Sequence, residues 1–150
     1  MRILLFYSTM TGNTEDMAID TEEELINRGH EVELMDMIAD GLPNEDPLPH
    51  DLLIMGTYTW GEGDIPEETE DFLEDLFAYD ISGLSISIFG SGDHAYENFA
   101  GAVDEMIEQF RERGHKGDIP TMKVDVDEMD NIAEDIKSYV DRIEEKFLVK

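Results

Sequence analysis

The residues of this chain best suited to chemistry lie close to its start. The order Thr9-Met10-Thr11-Gly12-Asn13-Thr14-Glu15 follows a short apolar run, Ile3 to Tyr7, and leads directly into a helical pattern. Strand, tight loop and helix start form the layout of an anion site. The first turn of a helix has unpaired N–H groups and the positive end of its dipole, and both attract a phosphate. Thr9, Thr11 and Thr14 add hydroxyl donors, Asn13 an amide, and Gly12 lets the backbone come close. The loop is neither a Walker loop nor a dinucleotide Gly-x-Gly-x-x-Gly pattern. No Lys or Arg occurs between Arg2 and Arg28, so a phosphate here would be held by dipoles and hydroxyls. An ordinary capped turn has the same layout, and the loop alone leaves both readings open.

Two later segments have equally unusual composition. Gly56-Thr-Tyr-Thr-Trp-Gly-Glu-Gly-Asp-Ile-Pro66 contains the only Trp of the chain, on a glycine-rich turn. A broad π-face on such a loop suits a flat, apolar ligand. Gly90-Ser-Gly-Asp-His-Ala-Tyr-Glu-Asn-Phe-Ala100 places Tyr96 ahead of a helix, where it could offer a second ring face. The plainer alternatives are that Trp60 covers its own loop and that Tyr96 is a surface residue. No nucleophile-elbow motif and no clustered set of metal ligands occurs, and the chain has no Cys.

These segments need elements to position them, and the chain alternates β and α patterns without a linker. The first helix is predicted from Asn13 to about Arg28, with Met17, Thr21 and Leu25 on one face. Glu31 to Met35 alternates as a strand, and Asp40 to Asp51, with three prolines, reads as a loop. Asp51 to Thr57 is a continuous apolar strand of the kind a parallel sheet buries on both faces. Further elements are a helix over Glu67–Ala78, a strand over Leu84–Gly90 and a long helix marked by Phe99, Val103, Met106, Ile107 and Phe110. A strand near Met122–Val126 and a last helix from Met129 to Phe147 complete the pattern. Five strands and four helices in alternation predict an α/β fold, a three-layer doubly wound sandwich, as one domain over residues 1–150.

Charge adds a second constraint. Ten Lys and Arg stand against 38 Asp and Glu, a formal net charge of −28. Such a surface repels nucleic acid and anionic membrane and steers toward a basic partner. Strong acidity is also a mark of salt adaptation. No apolar run is long enough to span a bilayer and no signal peptide precedes the first strand, so a cytoplasmic protein is expected.

With the loop Thr9–Glu15, the segment Thr59-Trp60-Gly61 and the segment Gly92-Asp93 through Tyr96 in this order, the chain resembles the flavodoxins over essentially its whole length. That family carries electrons on flavin mononucleotide (FMN). The stretch between Gly114 and Asn131 is too short for the insertion that splits the last strand in long-chain members, so the likeness is to the short-chain type. The resemblance implies a five-stranded parallel sheet of order 2-1-3-4-5 with FMN at the switch point, as is known for this family. It implies that Thr9, Thr11, Asn13 and Thr14 hold the phosphate and that Trp60 and Tyr96 sandwich the flavin. Thr59 would follow the ribityl chain, and Asp93, Asn98 and Ala100 would use mainly backbone groups on the pyrimidine edge. Met10, Gly12, Tyr58, Gly61, Gly92 and Phe99 complete the implied contact set. Met10 and Tyr58 depart from the small or hydroxyl residues of many relatives.

The implied activity is one-electron transfer at low potential through the neutral semiquinone/hydroquinone couple, not catalysis on a substrate. The Gly61–Glu62 peptide would flip to receive the flavin N5 proton. Implied partners are NADPH-dependent reductases of the flavodoxin reductase type and low-potential acceptors with basic docking surfaces, met by a monomer. The alternative is an activator dedicated to one partner, such as a ribonucleotide reductase. A receiver-like signalling domain would need an acidic pair where Tyr7 and Ser8 stand.

Overall fold

The computed structural model describes residues 1–61, 63–95 and 98–148. Five strands, β1 (Arg2–Tyr7), β2 (Glu31–Asp36), β3 (Leu52–Tyr58), β4 (Ser85–Gly92) and β5 (Thr121–Asp125), form one sheet. Their order is β2-β1-β3-β4-β5, and every neighbouring pair is parallel. The helices are α1 (Asn13–Asn27), α2 (Glu67–Leu76), α3 (Gly101–Glu112) and α4 (Ile132–Phe147).

Alternation along the central strands explains the layering. On β1, Leu4 and Phe6 face the side covered by α2 and α3, where they meet Phe72, Leu73, Val103 and Met106. Ile3, Leu5 and Tyr7 face the other side and pack with Met17 and Leu25 of α1 and with Ile136, Tyr139, Val140 and Ile143 of α4. Burial on both faces is what makes β3 a nearly unbroken apolar run. The strand order reverses between β1 and β3, since their neighbours were built in opposite directions from the centre. The loops at the carboxyl ends of β1, β3 and β4 therefore converge on one crevice, the usual ligand position in such sheets.

Two helix starts differ from the sequence expectation, while the strand bounds and helix ends fall within two residues of it. The long helix starts at Gly101 rather than Phe99, because Ala100 adopts a left-handed conformation (φ 49°) that ends the preceding loop. The last helix does not begin at Met129. A 3₁₀ segment, Val126–Asn131, comes first, held at its start by the Asp125 carboxylate, which accepts from the Asp127 N–H. Met129 nonetheless packs, half-buried, against the α1–α4 side of the core. No helix among the described residues is long and apolar enough to cross a membrane.

Candidate cofactor-binding site

The loop after β1 is shaped by its own side chains. The Gly12 N–H donates to the Thr9 hydroxyl at 2.9 Å, and Gly12 turns left-handed (φ 95°) to open α1. No side chain caps that helix, so its first-turn N–H groups stay available for an anion. Met10 and Thr11 are exposed at the loop tip, while Thr9 and Asn13 are half-buried. Thr14 is placed differently from the expectation. Its hydroxyl is buried and paired with that of Ser91 at the end of β4, 3.1 Å away, which leaves its backbone N–H, in the uncapped first turn of α1, as the group suited to an anion.

Beneath the loop lies a group of hydroxyls. Ser8 meets Thr57 at 3.1 Å and Thr69 at 2.7 Å, and Thr57 meets Thr69 at 2.9 Å, all buried. They lock the end of β1 to the end of β3 and to the first turn of α2. Tyr58 donates its hydroxyl to Glu68, and burial together with that carboxylate pushes its pKa up to about 12. Tyr7 behaves alike through Glu15, 2.9 Å from its hydroxyl.

Above the loop opens a cleft of about 180 Å³. It brings together Met10, Thr11, Tyr58, Thr59, Gly61, Gly92, Asp93, Asn98 and Ala100 from the three expected segments, together with Ser91 and Val126. Ligand pockets commonly enclose about 300–1,000 Å³, so this cleft suits a molecule held at one edge with the rest outside. Trp60 stands at its rim with about half of its surface exposed (53%) and does not line it. Tyr96, the expected second jaw, lies outside the described residues. Phe99 is also outside the cleft and stacks on His94, ring centroids 3.6 Å apart.

The two walls of the cleft are joined. Trp60 and Asp64 exchange backbone hydrogen bonds of 2.8 Å, closing the turn around Gly61 and Gly63. The Ile65 N–H donates to Glu105 of α3 at 3.1 Å. A Cβ on Gly63 would lie 2.5 Å from that of Asn98, and one on Gly101 would lie 2.7 Å from the Gly63 carbonyl. Only bare backbone allows the two turns to touch at these points. His94 ties the second turn down: its N–H and ring nitrogen both reach Asp125, whose carboxylate also receives the Asp127 N–H. Those two N–H donors, with the His94 ring, hold the Asp125 carboxyl below the usual range despite its burial.

A flavin phosphate ester can be tested against this arrangement. Thr59 has a buried hydroxyl with no partner among the described residues, in the wall of the cleft, which fits a polyhydroxyl chain passing it. The uncapped helix start fits a phosphate, and the exposed indole fits the face of a ring. The sequence pattern contained no sign of Ser8, Ser91 or Val126 as site residues. Their partners lie on other strands, and a hydroxyl on a strand end carries no motif. The fold also brings Lys123 beside the second turn, although that cation is held by Asp104 at 2.7 Å.

A parallel sheet of order β2-β1-β3-β4-β5 with an uncapped helix start, an exposed indole and a shallow cleft at its switch point defines a doubly wound fold of the flavodoxin-like class. The flavodoxin family model matches residues 5–139. Probable flavodoxin 2 of Bacillus subtilis (strain 168) is 46% identical over 127 residues, covering 83% of this chain and 82% of its own. Among solved structures, oxidised flavodoxin 2 of Bacillus cereus superposes with a TM-score of 0.77 at 35% identity, covering 95% of this chain and 99% of that one. A short-chain flavodoxin associated with a non-canonical PDU bacterial microcompartment gives 0.73 at 28% identity, covering 95% and 98%. The chain belongs to the flavodoxin family. β5 runs unbroken from Thr121 to Asp125, as in the short-chain type. Members of this family are FMN-binding electron-transfer proteins rather than enzymes.

Proposed function

We propose that this protein is a cytoplasmic, monomeric, low-potential one-electron carrier, a single domain over residues 1–150 that holds FMN non-covalently. The observation that carries the reading is the convergence at one cleft of an uncapped helix start, the exposed Trp60 ring and a buried Thr59 hydroxyl that has no partner among the described residues. When bound, FMN supplies a ring that takes up and gives back single electrons. The protein does the rest. The N–H groups of Asn13, Thr14 and Glu15, with the Thr11 hydroxyl, receive the phosphate, and Thr59 donates to the ribityl chain. Trp60 covers one ring face. The backbone of Asp93, Asn98 and Ala100 meets the pyrimidine edge.

Electrostatics supports the low potential. Between Arg28 and Arg111 the chain has no Lys or Arg, and Asp64 and Asp93 flank the cleft. At an effective dielectric of about 20, like unit charges roughly 7 Å apart repel by about 2 kcal/mol. Each such carboxylate opposes a further electron on the bound ring, and about 1.4 kcal/mol corresponds to 59 mV for one electron. The acidic rim fits basic surfaces on reductases of the NADPH-dependent type and on low-potential acceptors. Spectroelectrochemistry of the FMN-loaded protein tests the proposal. Two resolved one-electron waves, the second well below that of free FMN, are expected. Failure to retain FMN, or a single two-electron wave, would rule the proposal out.

A further inference from the structure

Ser8, Thr57 and Thr69 are buried hydroxyls directly beneath the loops that the proposed function assigns to FMN. Apolar side chains would fill the same space without needing partners, but their packing is non-directional. Hydrogen bonds of 2.7 to 3.1 Å instead fix one relative position of the elements they join. We propose that these three hydroxyls are positioning residues for FMN. They set the spacing between two parts of the site: the loop after β1 with the start of α1, which receive the phosphate, and the loop after β3, which receives the ribityl chain and the ring. The inference rests on the FMN reading given above.

The protons identify Thr57 as the hub. Its hydroxyl donates to the Tyr58 carbonyl at 2.9 Å. Only the Ser8 and Thr69 protons then remain for the three mutual contacts, so two of these contacts carry a hydrogen bond at a time. Ser8–Thr69 is the shortest at 2.7 Å, and the remaining proton goes to Thr57. The chain of hydroxyls therefore ends, through Thr57, on the Tyr58–Thr59 peptide. That peptide is planar, so a held carbonyl also holds the direction of the Thr59 N–H and the start of the turn through Trp60 and Gly61. At the other end Ser8 immediately precedes Thr9, and its own N–H donates to the Gly56 carbonyl at 3.0 Å. α2 braces the arrangement, since Thr69 lies in its first turn beside Glu68, which accepts the Tyr58 hydroxyl.

A fixed spacing favours a ligand that touches both loops and is indifferent to one that touches a single loop. FMN is of the first kind. Riboflavin, which lacks the phosphate, is of the second. Loss of the hydroxyl network should therefore separate the two flavins, whereas a general loosening of the fold would weaken both.

The test is a calorimetric titration of the full chain, freed of flavin, with FMN and with riboflavin. Thr57→Val should weaken FMN by about tenfold and riboflavin by less than about twofold, and Thr57→Ser, which keeps the hydroxyl, should restore FMN binding. Ser8→Ala cuts the same connection from the β1 side and should cost the same factor. The double variant Ser8→Ala/Thr57→Val should lose no more FMN affinity than either single variant, and this outcome is read from FMN alone. Ser87→Ala is the control for stability. Its hydroxyl is equally buried, against Pro120 and Tyr139 and away from the cleft. Its loss should lower the melting temperature and leave the ratio of FMN to riboflavin affinity unchanged. Equal losses for the two flavins, additive losses in the double variant, or a ratio that moves in Ser87→Ala overturn the inference while leaving FMN binding itself intact. Failure of the unaltered chain to bind FMN overturns the reading beneath it as well.

Discussion

Thr59 is the residue whose two states differ most. Without a ligand its hydroxyl is buried and has no partner among the described residues, a condition that costs on the order of 1–3 kcal/mol. Thr59→Val should therefore leave the apoprotein as stable or more stable in urea, while FMN affinity falls by about fivefold to tenfold. A stabilised apoprotein with undiminished affinity would remove Thr59 from the site. Gly61 is a second such position. It sits at φ 55°, where a β-branched side chain is strained by about 1–2 kcal/mol, and its substitution also restricts any peptide rearrangement during reduction. Gly61→Val should narrow the gap between the two one-electron potentials, and an unchanged gap would show that the glycine serves only the turn. Both residues were legible in the sequence, since a Gly and a Thr flanking a lone Trp stand out. Thr14 was legible only as a residue of the first turn of α1. That its hydroxyl faces Ser91 depends on a partner 77 positions away, which no local pattern encodes.

At the scale of elements, periodicity revealed all five strands and all four helices, because each buries a face whose spacing the chain must honour. The ends were less legible. The 3₁₀ segment Val126–Asn131 exists because Asp125 closes a turn over it, and Asp125 is fixed there in part by His94 of another loop. Asp125 is thus the joint between β5, the 3₁₀ turn and the second wall of the cleft. Its carboxyl titrates below the ordinary Asp value of about 3.9 in the folded protein. The stability it confers is complete above that value and is lost as the pH falls through its lower folded pKa. Asp125→Asn should accordingly destabilise the protein at neutral pH and make its stability less steep on the acid side of pH 4, as thermal melts across that range would show. The same variant should weaken FMN binding at neutral pH, where the clasp on His94 is lost.

For the whole molecule the governing quantity is a formal charge of −28. Like charges on a domain of this size oppose compaction, and salt screens them over a distance that falls from about 30 Å at 0.01 M to about 3 Å at 1 M. Melting temperature should rise steadily with sodium chloride over this range, and a flat response would mean that local pairing already cancels the repulsion. Association with a basic redox partner should move the opposite way, its rate falling as salt is added. Charge of this kind is plain in composition, whereas its uneven placement is not. Arg111, Arg113 and Lys116 are close in sequence, but only the fold sets them at the end of the sheet opposite the flavin loops.

The contact between Gly63 and both Asn98 and Gly101 has a mechanical consequence. Two turns that meet through bare backbone behave as a single hinged wall, because neither can be displaced without lifting the other. A molecule entering or leaving the cleft must open both turns in one event. Amides 61–64 and 98–101 should therefore exchange with deuterium at a common opening rate, and ligand should slow the two groups by the same factor. The interlock also fixes both glycines: a side chain at Gly101 would meet the backbone carbonyl of Gly63, and Gly63 itself sits at φ 132°, so no change at the opposite turn makes room for either.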